Sequence, residues 1–311
     1  FSLDNLTPDQ VERIEVMRAP TAEFGARAVA GTINVVLKEA LKKTLNEVRL
    51  GAAAEEGRIS PSASWTRNDK FGERVSYTLT LSANKSDTRD EHNTRTRWYD
   101  LDSGTQVLDQ HDTGFAVNKR EGLHLNGRVQ VAMAPGESLI LMPFLMLSQG
   151  TSETQGQLDQ MPGGAIAQPY ARYFTAGDGR FSSLRGNAQW QKNLGDGTRL
   201  ELRGGAGSGT SEAHAARHEF DTANLLTRTT DDQTSTRETG WTLTGKASHQ
   251  LQNEHSLVAG LELDSSVRRQ TRTTLQNGLP ILTEFGDDLS ASSMRVATYI
   301  QDEWNPTKQI A

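Results

Sequence analysis

The stretch Val75-Ser-Tyr-Thr-Leu-Thr-Leu-Ser-Ala83 alternates apolar and small polar residues without interruption. Because successive side chains of a β-strand point to opposite faces, it predicts a strand with one apolar and one polar face. The same alternation recurs along most of the chain. It predicts about ten strands, at residues 44–54, 61–69, 74–85, 122–132, 138–149, 181–193, 198–209, 239–251, 255–267 and 291–304.

Apart from the first, at residues 55–60, the connections between these strands alternate in length. Short turns fall at residues 68–72, 134–137, 194–197 and 252–254, and long polar segments fall at residues 86–121, 150–180, 210–238 and 268–290. Outer-membrane barrels have short turns on one side and long loops on the other, whereas a soluble β-sandwich has no reason for this asymmetry. The sequence therefore predicts a mainly β fold, part of an antiparallel transmembrane β-barrel.

Composition excludes several other classes of protein. The chain has 311 residues, a net charge of -6 and no cysteine. No apolar run approaches the roughly 20 residues of a membrane-spanning helix. The negative charge argues against a general nucleic-acid binder, so we expect no nucleic-acid partner. The absence of cysteine rules out disulfides and thiolate metal sites.

Residues 1–40 have a different pattern from the rest. Val11–Met17 alternates apolar and charged residues, and Thr32–Leu37 is a nearly all-apolar run. Pro20 and a possible helical turn through Ala22 and Phe24 lie between them. We predict a small α+β element over residues 1–40, followed by the barrel part over residues 41–311.

The first element also carries a motif. Val11-Glu-Arg-Ile-Glu-Val-Met-Arg18-Ala-Pro20, Phe24-Gly25 and Ala30-Gly31-Thr-Ile-Asn34 together resemble the end of the plug domain in TonB-dependent outer-membrane receptors. The matching positions are Glu12, Arg13, Glu15, Arg18, Pro20, Gly25, Gly31 and Asn34. Three mild departures are Ala19 and Ala30 in place of Gly, and Phe24 in place of Tyr. A weaker echo of the family's barrel strands is Tyr299-Ile-Gln-Asp-Glu-Trp304.

This resemblance implies an internal fragment of such a receptor, from the outer membrane of a Gram-negative bacterium. Residues 1–40 would be the C-terminal part of the plug, and residues 41–311 about ten of about 22 barrel strands with long extracellular loops. The segment that contacts TonB, the TonB box, is expected before residue 1. The fragment is thus expected to be a piece of a longer protein.

The resemblance also implies a function. The complete protein would import a scarce, bulky nutrient, energised through TonB by the proton-motive force. A ferric siderophore is the commonest substrate of the family; haem, cobalamin and glycans are the others. The expected partners are TonB, outer-membrane lipid and lipopolysaccharide, and the ferric siderophore or a similar ligand. We expect no enzymatic activity and no cofactor, because no catalytic motif is visible.

Two groups of charged residues are candidates for the site. Several cationic residues alternate in step with the polar face of their strands, so we expect them to form a basic lining that attracts anionic chelates. They are Arg128, Arg185, Arg203 and Lys246, together with Arg199. The alternative is that these residues have no specific role in ligand binding, because a water-filled barrel lumen needs polar walls and any polar residue could provide them. A latch between plug and barrel is the second prediction, with Arg13 and Arg18 pairing with Glu262 and Glu303.

Other readings of the sequence stay open. His214 and His218 are four residues apart, but they fall in a predicted polar loop, so we expect solvated side chains and no metal site. One rival function is a passive porin-like or structural barrel, against which the plug motif argues. Another is a soluble β-rich binding module, against which the alternating connection lengths argue.

Overall fold

The structure, a computed structural model, describes residues 11–17, 32–37, 44–161, 166–251, 255–281 and 287–304. Thirteen strands are formed by these residues. They are β1 (Val11–Met17), β2 (Thr32–Leu37), β3 (Leu45–Glu55), β4 (Arg58–Phe71), β5 (Val75–Tyr99), β6 (Gln106–Ala134), β7 (Glu137–Gln160), β8 (Arg172–Asn193), β9 (Thr198–Phe220), β10 (Leu226–Gln250), β11 (His255–Gln276), β12 (Leu279–Ile281) and β13 (Asp288–Trp304).

The strands from β3 onward form one antiparallel sheet, in which β3 to β12 pair with their neighbours in sequence and β13 pairs with β11. β3 lies at one edge. At the other, β11 pairs with β13 along most of its length and with the short β12 at its far end. Within the described residues the sheet is not closed, so it forms part of a barrel wall. β1 and β2 form a separate antiparallel pair.

The ten strands predicted from alternation are confirmed, but seven of them continue much further than predicted. β5 and β6 run through most of the predicted loop 86–121, leaving only residues 100–105 between them. The predicted loops at 150–180, 210–238 and 268–290 are likewise largely strand. The physical reason is the pairing, since long hairpins satisfy the backbone hydrogen bonds of polar sequence that shows no apolar alternation.

The turn at the end of β11 illustrates how local sequence fixes a hairpin. Asn277 and Gly278 have φ values of 50° and 79°. A two-residue hairpin turn with both central residues at positive φ is the arrangement that Asn-Gly favours. This Asn-Gly turn joins β11 to β12.

The predicted helical turn through Ala22 and Phe24 lies outside the described residues, as do Arg18, Pro20, Gly25 and Gly31. Glu12, Arg13, Glu15 and Asn34 lie on β1 and β2. In the part of the chain that the structure describes, no helix is long and apolar enough to cross a membrane.

Candidate functional site

The two faces of the sheet differ in exposure, and β7 shows this most clearly. From Ile140 to Gln160 its even-numbered residues are buried or half-buried, whereas all its odd-numbered residues except Leu145 are exposed. On a flat sheet the two faces would be equally accessible. We call the sheltered face the inner face and the other the outer face, and the pairing register extends both names to every strand of the sheet.

The outer face carries an apolar belt beside the short turns. Large apolar side chains of the belt remain exposed, including Leu184 at 63%, Val296 at 60% and Ile300 at 77%. The belt ends abruptly on the side away from the short turns. There Ala83 is followed on the same face by Lys85, whose Nζ lies 3.3 Å from the carboxylate of Glu121.

The belt is about as tall as a membrane. On β5 it covers nine residues, Val75–Ala83, which span roughly 30 Å at about 3.3 Å per residue, close to the thickness of the hydrocarbon core. The remaining part of β5, through Tyr99, adds roughly 50 Å beyond the belt. Strands that cross a bilayer and continue into water would have these proportions.

The belt also crosses the strands obliquely. Val75 is the first belt residue of β5. When its pairing partners are followed from strand to strand, they end at Leu261 on β11. On β11 the belt begins earlier, at Leu257, and includes Ala259. The belt has therefore moved by four residues over six strand spacings. This is about 13 Å along the strands for about 29 Å across them, an inclination of roughly 25°. Closed membrane barrels require such a tilt, usually somewhat larger at about 35–45°.

The predicted lumen residues lie on the inner face, where acidic groups accompany them. Arg203 pairs with Glu201 on the same strand, and Arg199 donates to Gln191 at 2.8 Å. Lys246 lies opposite Glu201 in the register. Arg128 is half-buried and Arg185 is exposed. The face is thus mixed in charge, so the predicted basic lining is accompanied by carboxylates.

The latch residues are only partly described. Glu262 lies on the inner face, and its carboxylate accepts a hydrogen bond from Arg295 of β13, which also donates to Asp264 at 2.7 Å. Arg13 is exposed on β1. Arg18 lies outside the described residues, and so does the side chain of Glu303. Pairing between the plug residues and Glu262 stays a prediction.

Beyond the belt, the inner face carries a cluster that the sequence did not predict. One register row crosses six strands through His92, Gly114, Gly156, Tyr173, Glu219 and Arg228, which we call the vestibule row. The Tyr173 ring lies over Gly156, where a Cβ atom would collide with it. Its hydroxyl reaches 3.0 Å from Nε2 of His92. Gly156 thus leaves the space that the Tyr173 ring occupies, and a Cβ atom at Gly114 would collide with the backbone of β7 and with the His92 ring.

Charged groups surround this tyrosine. Asp112 Oδ1 lies 3.3 Å from Nε2 of His92, and the Arg217 guanidinium stacks 4.0 Å from the centre of the Tyr173 ring. Arg217 and Arg228 both pair with Glu219, which is 3% exposed. Burial raises the pKa of the Tyr173 phenol, and Asp112 acts in the same direction. The result is a polar, partly sheltered cluster beyond the belt, close to the far ends of β8, β9 and β10.

The outer face beyond the belt holds the histidine pair singled out from the sequence. His214 and His218 lie on β9 and not in a loop, because β9 continues to Phe220. His214 contacts two carboxylates, Asp231 through Nε2 at 2.9 Å and Asp178 through Nδ1 at 3.4 Å. The hydrogen bond with Asp231, above all, raises the pKa of His214. Among the described residues, no three His, Cys, Asp or Glu side chains are placed to hold a metal ion.

An open wall of antiparallel hairpins, with an apolar belt outside and a polar face inside, is the architecture of one class of protein, the membrane-spanning β-barrels. The comparisons with solved structures list particular proteins of similar fold. The chain is similar to the ferric yersiniabactin uptake receptor FyuA from Yersinia pestis, with a TM-score of 0.39 and 11% identity over 94% of this chain and 49% of that one.

Two further solved structures are similar. They are the ferric citrate transporter FecA (TM-score 0.37, 10% identity, 97% of this chain and 48% of that one) and the siderophore receptor PiuA from Acinetobacter baumannii (TM-score 0.32, 11% identity, 96% and 53%). The chain spans about half the length of these receptors. At these values the similarity carries no argument about what the chain binds. No family model and no curated protein matches the chain.

Proposed function

We propose that the chain is part of a TonB-dependent receptor in the outer membrane of a Gram-negative bacterium. The oblique apolar belt supports the membrane-barrel part of this proposal, and the plug-like motif between residues 11 and 34 supports the receptor family. Contact with lipid explains why the outer face carries an apolar belt as tall as a membrane. Closure into a barrel explains why the belt is inclined to the strands. In this proposal residues 41–311 form the N-terminal part of the barrel, and residues 1–40 form the end of the plug.

The proposed activity is active import of a ferric siderophore, energised through TonB by the proton-motive force. The long hairpins support it, because they extend the inner face roughly 50 Å beyond the belt and make room for a bulky ligand. The vestibule row offers aromatic, cationic and hydrogen-bonding groups to such a ligand. The candidate lumen residues Arg128, Arg185, Arg203 and Lys246 would lie further in, along the path of the imported complex.

The plug is proposed to close this path. Arg13 and Arg18 would hold it against the wall by pairing with Glu262 and Glu303. Glu262 already accepts a hydrogen bond from Arg295 of the barrel wall. A plug arginine would therefore share the Glu262 carboxylate with Arg295. Arg18→Glu should loosen the plug and increase the entry of large antibiotics, whereas unchanged entry and unchanged uptake would exclude the latch.

Two measurements on the complete protein test the proposed function. We expect it in the outer-membrane fraction, with heat-modifiable gel mobility, and we expect the strain to take up ferric siderophore only while TonB and the proton-motive force are present. Uptake that survives removal of TonB would indicate a passive barrel. Recovery in the soluble fraction would contradict the membrane assignment altogether.

A further inference from the structure

Two members of the vestibule row, His92 on β5 and Tyr173 on β8, meet Asp112, which lies on β6 two residues before Gly114. Tyr173 Oη lies 3.0 Å from His92 Nε2, and Asp112 Oδ1 lies 3.3 Å from the same nitrogen. The phenol and carboxylate oxygens thus both lie within hydrogen-bond distance of one imidazole nitrogen. A ring nitrogen carries a single proton or a single lone pair, so it cannot make a full hydrogen bond to both oxygens at once.

The two distances match the spacing of neighbouring donor atoms in a metal coordination sphere. In octahedral geometry with bonds of about 2.1 Å, neighbouring donor atoms lie about 3 Å apart. Phenolate and carboxylate oxygens are hard donors, and imidazole binds iron as well. We propose that His92, Asp112 and Tyr173 form a ferric iron site in the vestibule, holding three positions of the metal and leaving the others to the ligands that arrive with it.

The surroundings suit this assignment. The His92 and Asp112 side chains are 33% and 30% exposed, so a ferric complex can approach from the inner side. Tyr173 is 8% exposed, and its ring is fixed by Gly156 beneath it and Arg217 against it. The phenol proton passes to water when the Tyr173 oxygen takes an open position on the iron. The phenolate and the Asp112 carboxylate then offset two of the three positive charges, without any change in the oxidation state of the metal.

This inference rests on the proposed function in one respect, namely that ferric iron reaches the inner face of the sheet. It adds that the cargo is a ferric complex with open coordination positions, which the protein itself fills. A fully enclosed chelate would be held through its outer surface and would leave the three donor atoms without a metal to bind.

The test uses the complete protein in detergent, freed of iron and then titrated with ferric nitrilotriacetate. A phenolate-to-iron charge-transfer band in the visible spectrum is expected at one iron per protein. Tyr173→Phe should abolish the band, and Asp112→Asn or His92→Gln should weaken iron binding at least tenfold. Tyr99→Phe is the matched control, because Tyr99 is an exposed tyrosine at the end of β5, and it should leave the band unchanged.

The absence of the band in the unaltered protein, or its persistence in Tyr173→Phe, would overturn the site. Heat-modifiable mobility of each variant shows that the barrel has folded, and His92→Gln serves if Tyr173→Phe does not fold. The proposed function fails differently. Absence of band with TonB-dependent uptake intact would refute the iron site alone, whereas a band without uptake would refute the transport function alone.

Discussion

Tyr173 on β8 and His92 on β5 are 81 residues apart in sequence, and they are joined by a 3.0 Å hydrogen bond across two intervening strands. The bond is possible because both intervening strands place a glycine in the same register row. The vestibule therefore depends on the absence of side chains as much as on the side chains that contact each other.

Gly156→Ala tests this dependence. The new Cβ would fall on the Tyr173 ring, so the ring must leave its place and lose His92, at a cost of roughly 1–3 kcal/mol typical of overpacking. Amide hydrogen exchange should accelerate in the halves of β7 and β8 that lie farther from the short turns. Gly186→Ala on β8 is the control, since no atom lies within 4 Å of the position its Cβ would take. Equal exchange in both variants would contradict the account.

The end of the β5–β6 hairpin should be sensitive to acid. Arg95 donates two hydrogen bonds to Asp109, at 2.8 and 2.7 Å, and lowers the pKa of Asp109 to about 2. A carboxyl whose pKa is lowered on folding stabilises the structure above its ordinary pKa of about 4, and the contribution disappears as the pH falls through about 2.

Pepsin, which is active in this range, provides the measurement. Cleavage near the hairpin end should be slow at about pH 4 and should accelerate toward pH 2. In Asp109→Asn it should already be fast at the higher pH. Asp102→Asn, in the neighbouring turn, should behave like the unaltered protein. An Asp109→Asn variant with unchanged cleavage at both pH values would rule out this role for the pair.

The bridge at His214 should respond to pH in the opposite sense. Its pKa is raised by Asp231 and Asp178, so its stabilisation is complete below the ordinary histidine pKa of about 6.5 and is lost as the pH rises through the raised value. Exchange of β9 amides near residue 214 should therefore increase more steeply above neutral pH than intrinsic chemistry predicts. His214→Gln should remove the extra dependence, and His218→Gln should keep it.

The apolar belt can be probed by a single charge. Leu261 lies in the middle of the belt on β11, and Leu261→Arg would place a cation at the centre of the bilayer, at a cost of roughly 2–4 kcal/mol. Thr244→Arg, which adds the same side chain one strand away on the inner face, should be tolerated. We expect a reduced folded fraction for the first variant only, measured by heat-modifiable mobility in lipid vesicles.

The strands inside the belt could be predicted from sequence because membrane and lumen impose opposite polarity on alternate residues. Val75–Ala83 illustrates this. The same strand beyond Ala83 has polar residues on both faces, so no alternation marks it, and residues 86–99 were predicted as loop. Only pairing with β6 makes that segment a strand.

The vestibule row could not be predicted for a related reason. His92 and Tyr173 meet through a register that spans four strands, and one residue of slip in any of them would separate the two. Gly114 and Gly156 were the available signals, since glycine in a strand interior often marks a close approach by another group. Their significance becomes apparent only when the register aligns them with Tyr173.

Cysteine scanning along β11 tests the central proposal most directly, because the chain contains no cysteine of its own. Cysteines at positions 257, 259, 261 and 263 of the complete protein in outer membranes should react only with a reagent dissolved in lipid. Those at positions 256, 258, 262 and 264 should react only with a water-soluble reagent. Beyond position 267 both faces should react from water. Uniform reaction with the water-soluble reagent at all positions would contradict the account of this chain as a membrane-barrel wall.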